Sequence, residues 1–383
     1  MSLHDATAPA RLTLAQRIRS FGWGLLVLLS LVAGTGFLIL YSAANGSLSP
    51  WANAQMIRFA IGTALMIVIG LTDLKLWLKL AYPLYGLAFV LLVAVEIMGD
   101  IGMGAQRWID LGFFQIQPSE VMKIAIVLAL ARYFHGRTAE DIRRPVTLLP
   151  PLVMVLLPAL LVLRQPDLGT TGMLVLGAGA IFFAAGVRAW KFIVVLALFG
   201  AMVPVGWTML HQYQRERVMT FMDPSRDPLG AGYHITQSKI ALGSGGVTGK
   251  GFMQGTQSHL SFLPEKQTDF IFTMYAEEFG LIGGIALLIL FISVVMYALS
   301  VSLRARTVFG RLVAVGVGST FFLYYFINIA MVMGLIPVVG VPLPLVSYGG
   351  TAMLTLMIAF GLLACVNTHR DVQLRRQPGL EGY

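Results

Sequence analysis

Apolar runs of about 20 residues, the length a helix needs to cross a bilayer's hydrocarbon core, alternate along this chain with short polar breaks. The pattern predicts ten such spans, near 22–42, 56–72, 80–98, 118–132, 146–163, 169–185, 190–210, 271–302, 312–334 and 349–366. The eighth is long enough to include a tilted or interfacial segment. Glu120 and Lys123 interrupt the fourth, and only a short break parts the fifth from the sixth. The expected fold is all-α and polytopic: a cytoplasmic N-terminal segment 1–21, one ten-helix membrane domain 22–366, and a cytoplasmic tail 367–383. A single stretch departs from the rhythm. Residues 211–270 are charged, amide-rich and Gly-rich, and form a large loop between helices seven and eight. At Asp269 the chain drops from this loop into the eighth apolar helix. A carboxylate at the mouth of a membrane helix is costly and reads as functional, against the plainer reading of a helix cap.

Composition supports the membrane reading. The chain is 57% hydrophobic and 12% charged, where soluble domains carry about a quarter charged residues. Its first apolar run, Gly22 to Tyr41, suits a spanning helix better than a signal peptide, whose apolar core is about 7–15 residues. The net charge of +9 resolves as topology. Most Lys and Arg residues fall in the N-terminal segment, the even-numbered loops and the C-terminal tail, whereas short loops of the other side hold only Arg107 and Arg164. Both termini are therefore expected to be cytoplasmic, and nucleic-acid binding is not expected. Cys365, the only cysteine, excludes an intrachain disulfide and a cysteine-based metal cluster.

With that orientation, four polar or Pro/Gly-rich stretches converge on the outer face together with Asp269. They are Gly104-Ala-Gln-Arg-Trp-Ile-Asp-Leu-Gly112 with Gln117-Pro-Ser-Glu120, then Arg164-Gln-Pro-Asp-Leu-Gly-Thr170, the 211–270 loop, and Pro342-Leu-Pro-Leu-Val-Ser-Tyr-Gly-Gly350. Glu120 and Lys123, three apart, share a helix face and can pair inside a membrane segment. Arg107 is either an interfacial anchor or a guanidinium fork for a pyrophosphate. The run Gly243-Ser-Gly-Gly-Val-Thr-Gly-Lys-Gly251 fails as a Walker A loop, with Ser244 and Gly251 at required positions, but leaves open a loop that approaches a ligand closely. His211, His234 and His259 match no metal spacing. Glu277 lies about 80° from Asp269 on a helix and is placed to support it, while Glu278 points elsewhere. Asn328 is a polar residue amid otherwise apolar spans.

These motifs, in this order and over nearly the whole chain, resemble the SEDS family (shape, elongation, division and sporulation). Within it, Tyr233-His-Ile-Thr-Gln-Ser-Lys-Ile-Ala-Leu-Gly-Ser-Gly-Gly246 and the residues that follow are similar to the elongation branch, although Gln267 stands where His is frequent. The resemblance implies a ten-helix peptidoglycan glycosyltransferase that polymerises lipid II at the outer face of the cytoplasmic (inner) membrane, with undecaprenyl-pyrophosphate-linked glycan as donor. It makes Asp269 the catalytic aspartate. Substrate contacts are expected from Arg107, Gln117, Ser119, Glu120, Lys123, Gln165, Asp167, Lys239, Glu277 and Ser347. The leaving pyrophosphate would be met by Arg107, Lys123 or a divalent cation, Mg2+ or Mn2+, whose ligands the motifs do not name. Implied partners are a class B penicillin-binding protein and other membrane proteins of the elongation complex. The alternatives are a lipid II flippase and a division-branch polymerase.

Overall fold

The computed structural model describes residues 12–98, 100–102, 105–110, 115–209, 212–227, 231–256 and 266–372. The chain is mostly helical, and seven helices are long and apolar enough to cross a membrane. A short α1 (Leu14–Ser20) leads to α2 (Trp23–Ala43), α3 (Trp51–Leu71) and α4 (Leu74–Met98). After α5 (Pro118–His135) come a short α6 (Ala139–Arg143), α7 (Leu149–Arg164), α8 (Leu168–Ala184) and α9 (Ala189–Met209). The chain closes with α12 (Ile271–Arg304), α13 (Val308–Val332) and α14 (Gly350–Thr368). Every predicted span overlaps one of these helices. Those outside the seven are α5, which carries charge, and the shorter apolar α8 and α9.

Two expectations change. Between α4 and α5 the chain forms a small antiparallel sheet, β1 (Asp100–Gly102), β2 (Ala105–Asp110) and β3 (Gln115–Ile116), in the order β1-β2-β3. Asp100 pairs with Trp108 and Ile109 with Ile116. The fold is thus not purely helical; strands this short leave too little alternation to read in sequence. The predicted loop over 211–270 is also partly regular, with α10 (Gln212–Met222) and α11 (Ala231–Ser244) within it. His211, His259 and the run 257–265 lie outside the described residues.

Helix α13 is the core of the bundle, with Leu312, Phe321, Tyr324 and Asn328 all buried, and α14 packs beside it. Their neighbour α5 is buried along most of its length although it carries Glu120, Lys123 and Arg132. Large apolar residues on the outer helices face outward, among them Ile57, Val90, Leu196, Phe199 and Leu303. A water-exposed surface rarely carries so much contiguous apolar area; a bilayer requires it.

Candidate functional site

Asp269 sits in a turn over residues 266–270 that enters α12. The N-cap of α12 is Phe270, whose own side chain makes no capping hydrogen bond. The turn is clamped instead through its backbone. Asn328 Nδ2, from α13, donates to the Asp269 carbonyl at 2.9 Å and to the Val341 carbonyl at 2.7 Å. Ser347 Oγ donates to the Thr268 carbonyl at 2.6 Å and accepts from the Leu343 amide at 2.8 Å. The Tyr348 amide donates to the Gln267 carbonyl at 2.8 Å. Gln55, buried in α3, holds the Ser347 carbonyl at 2.8 Å. Gly340, at φ +72°, passes the carboxylate so closely that a Cβ there would lie 3.6 Å from Asp269 Oδ2. Burial pushes the Lys266 ammonium below its ordinary value, so a cation three residues before Asp269 is held partly desolvated.

One helical turn away on α13, Tyr324 builds a second polar group. Lys123 Nζ donates to Glu120 Oε1 at 2.6 Å and to the Tyr324 hydroxyl, which in turn donates to Glu120 Oε2. The ammonium lies 4.2 Å from the Tyr324 ring centroid. All three side chains are buried. Tyr324 and Ser347 line one small cavity with Pro342, Leu343 and Gly349, which connects this group to the Asp269 clamp.

Arg107, on β2, is committed to the turn between α7 and α8. Its Nε donates to the Gln165 carbonyl at 3.1 Å, its Nη2 to the Pro166 carbonyl at 2.7 Å, and its Nη1 lies 3.8 Å from Asp167 Oδ2. Asp167 also caps α8, accepting from the Thr170 amide at 3.0 Å and the Thr170 hydroxyl at 2.9 Å.

The glycine-rich run explains a break in α12. Gly280 has φ +66° and ψ −164°, which interrupts the helix. The carbonyls of Glu277 and Glu278 accept instead from the Lys250 and Gly251 amides, each at 3.0 Å. The Leu281 and Ile282 amides donate to the carbonyls of Gly246 at 3.0 Å and Val247 at 3.1 Å. Four groups freed by the break are thus satisfied by one loop. A Cβ at Gly249 would lie 2.1 Å from the Glu278 carbonyl oxygen, and one at Gly280 2.2 Å from the Gly249 nitrogen.

The comparisons with known proteins agree with this architecture. The FtsW/RodA/SpoVE family, described as cell cycle proteins, matches residues 18–372. The chain belongs to this family. It is 45% identical over 350 residues to the peptidoglycan glycosyltransferase MrdB of Escherichia coli strain K12, covering 91% of this chain and 93% of that one. A chain of a peptidoglycan synthase complex, solved for its structural coordination of polymerization and crosslinking, aligns at TM-score 0.79 and 30% identity, covering 91% of this chain and 98% of that one. The rod shape determining protein RodA of Thermus thermophilus aligns at TM-score 0.69 and 26% identity, covering 92% and 98%.

In this FtsW/RodA/SpoVE member, the residues predicted as one set divide by role. Glu120 and Lys123 pair, as their spacing predicted. Ser347 spends its hydroxyl on the Asp269 turn, so it positions rather than offers a free group. Glu277, expected beside Asp269, is fully buried and accepts from Lys250 Nζ at 2.7 Å and Thr256 Oγ1 at 3.2 Å; it fastens the glycine run. Those glycines approach the backbone of α12. Glu278 accepts from Ser42 on α2, on a different side as expected. Gln165 is buried, its amide donating to the Leu92 carbonyl at 3.4 Å. Ser119 is buried, while Gln117 precedes α5 without a side-chain cap bond. Lys239 is exposed, its stem crossing Gly334. Sequence reasoning missed Tyr324 altogether and took Asn328 for a residue of the span's apolar middle. Their signal was a four-residue spacing, which puts both on one stripe of α13. Among the described residues, no three His, Cys, Asp or Glu side chains converge to hold a metal, and no step is assigned to the expected Mg2+ or Mn2+.

Proposed function

We propose that this chain is a peptidoglycan glycosyltransferase that polymerises lipid II during cell elongation and rod-shape maintenance, with Asp269 as general base. The carrying observation is how Asp269 is held. Asn328 and Ser347 fix its turn by hydrogen bonds to the carbonyls of Asp269 and Thr268, just before an apolar helix begins. A carboxylate ordered in this way at the mouth of an apolar helix is expensive unless it is used. The family match and the similarity to MrdB support the same activity.

In the reaction, Asp269 accepts the proton of the 4-hydroxyl of a lipid II N-acetylglucosamine as that oxygen attacks the donor's anomeric carbon. The bond from that carbon to undecaprenyl pyrophosphate breaks, and its electron pair leaves with the pyrophosphate. A single displacement inverts the sugar carbon. The Asp269 end faces outward, both termini are cytoplasmic, and α5, α8 and α9 join the seven longer helices to make ten spans of one membrane domain over 22–366. The large loop over 211–270 then lies outside the membrane, between the seventh and eighth spans. A class B penicillin-binding protein supplies transpeptidation, with other elongation-complex proteins alongside. Transport of lipid II is the weaker reading: flipping needs a polar path through interrupted helices, and the groups freed at Gly280 are taken by residues 246–251.

The deciding experiment is polymerisation of labelled lipid II by purified protein, alone and with its partner. Wild type should yield glycan ladders. Asp269→Asn should lower the rate by about 10²–10⁴ while folding and partner binding persist, and Asp269→Glu should also fail, because a shift of about 1 Å is poorly tolerated. Near-normal ladders from the Asn variant would end the general-base assignment.

A further inference from the structure

The cations that the sequence offers for a leaving pyrophosphate are already engaged. Lys123 is bound to Glu120 and Tyr324, and Arg107 to two carbonyls and Asp167. Arg58 is different. It lies seven residues into α3, about 10 Å along the helix from Trp51, and its neighbours Ile57 and Ile61 face outward. Nη2 donates to the Tyr348 hydroxyl at 3.2 Å, and the guanidinium carbon stands 4.6 Å from that ring's centroid. Nη1 is enclosed and has no hydrogen-bond partner. Among the described residues, no carboxylate lies within ion-pair distance of Arg58.

An uncompensated guanidinium at this depth is costly, and its place suggests what compensates it. Tyr348, over which it lies, is tied to Gln267, two residues before Asp269, through the 2.8 Å backbone bond. Beside it α14 opens at Gly349, which caps the helix with no side chain. A Cβ on Gly350 would come 3.2 Å from Arg58 Nε. Glycine thus leaves the fork close to a helix N-terminus, itself favourable to anions. We infer that Arg58 is the diphosphate-binding cation of this site, its free Nη1 taking an oxygen of an isoprenyl diphosphate whose tail runs along the outward face of α3. A planar fork suits a diphosphate, and the Tyr348 ring holds it in orientation.

The inference rests on the polymerase reading, but the two fail separately: ladders from wild type test that reading, whereas lipid binding needs no turnover. Purified full-length protein is titrated in nanodiscs with undecaprenyl diphosphate, undecaprenyl monophosphate or phosphatidylglycerol, following binding and thermal unfolding. Wild type should bind the diphosphate lipid most tightly and be stabilised by it. Arg58→Met should weaken that binding by about ten- to a hundredfold while unfolding no earlier than wild type without lipid, since it removes an unpaired charge. Arg58→Lys, which keeps the charge without the fork, should fall between. Equal affinity of wild type and Arg58→Met for the diphosphate lipid overturns the inference. So does equal weakening towards phosphatidylglycerol, which would make Arg58 an anchor for bilayer phosphodiesters. A Met variant that cannot fold would make Arg58 a structural cation and overturn it as well.

Discussion

Glu120, Lys123 and Tyr324 form a closed set: the ammonium serves the carboxylate and the phenol, and the phenol serves the carboxylate. The value of each depends on the others, because a buried charge that loses its partner cannot regain water. Lys123→Met should therefore cost about 3–5 kcal/mol of stability. The double change Glu120→Gln with Lys123→Met should cost less than that single one. Unfolding of the purified variants in detergent checks this, and additive losses would show that the two residues do not interact. Tyr324→Phe should be milder, about 1–3 kcal/mol, since it removes one hydrogen-bonding group and leaves the ion pair.

Among elements, the unusual device is the junction between α12 and the glycine run. Its four exchanged backbone bonds need two peptide chains closer than any Cβ permits at Gly249 or Gly280, and both residues also have positive φ. Gly280→Ala and Gly249→Ala should each destabilise the protein strongly, by more than the about 1 kcal/mol that glycine's entropy alone accounts for. Gly243 is the internal control. It lies in the last turn of α11 with open space around its would-be Cβ and no positive φ, so Gly243→Ala should be neutral or stabilising by about 0.5–1 kcal/mol. Thermal unfolding separates the three. A Gly280→Ala protein as stable as wild type would show that the break is not required.

For the whole molecule, the basic residues order the helix ends. The Asp269 end carries the proposed site, and the opposite end carries the turn between α12 and α13. Single cysteines, in a background without Cys365, test this. Ser47→Cys, exposed between α2 and α3, should react with a membrane-impermeant maleimide in intact spheroplasts. Arg306→Cys, exposed between α12 and α13, should react only after the membrane is opened. The reverse pattern would turn the site to the cytoplasm, away from the lipid-linked donor and acceptor as proposed.

Much of this protein was determined by the sequence alone, where the information is local. Apolar runs dictate helices, a three-residue spacing pairs Glu120 with Lys123, and the drop from a polar loop into an apolar run marks Asp269. Family motifs then name the chemistry. The tertiary structure decided which polar groups remain available. Asn328 reaches Asp269 across 59 residues, Ser347 reaches Thr268 across 79, and Tyr324 meets Lys123 across 201. No period or spacing encodes such contacts, because they depend on which helix faces pack together. That packing commits Arg107 to a turn and Glu277 to the glycine run, and leaves Arg58, a charge in an apolar span, with an enclosed donor that has no partner beside the site.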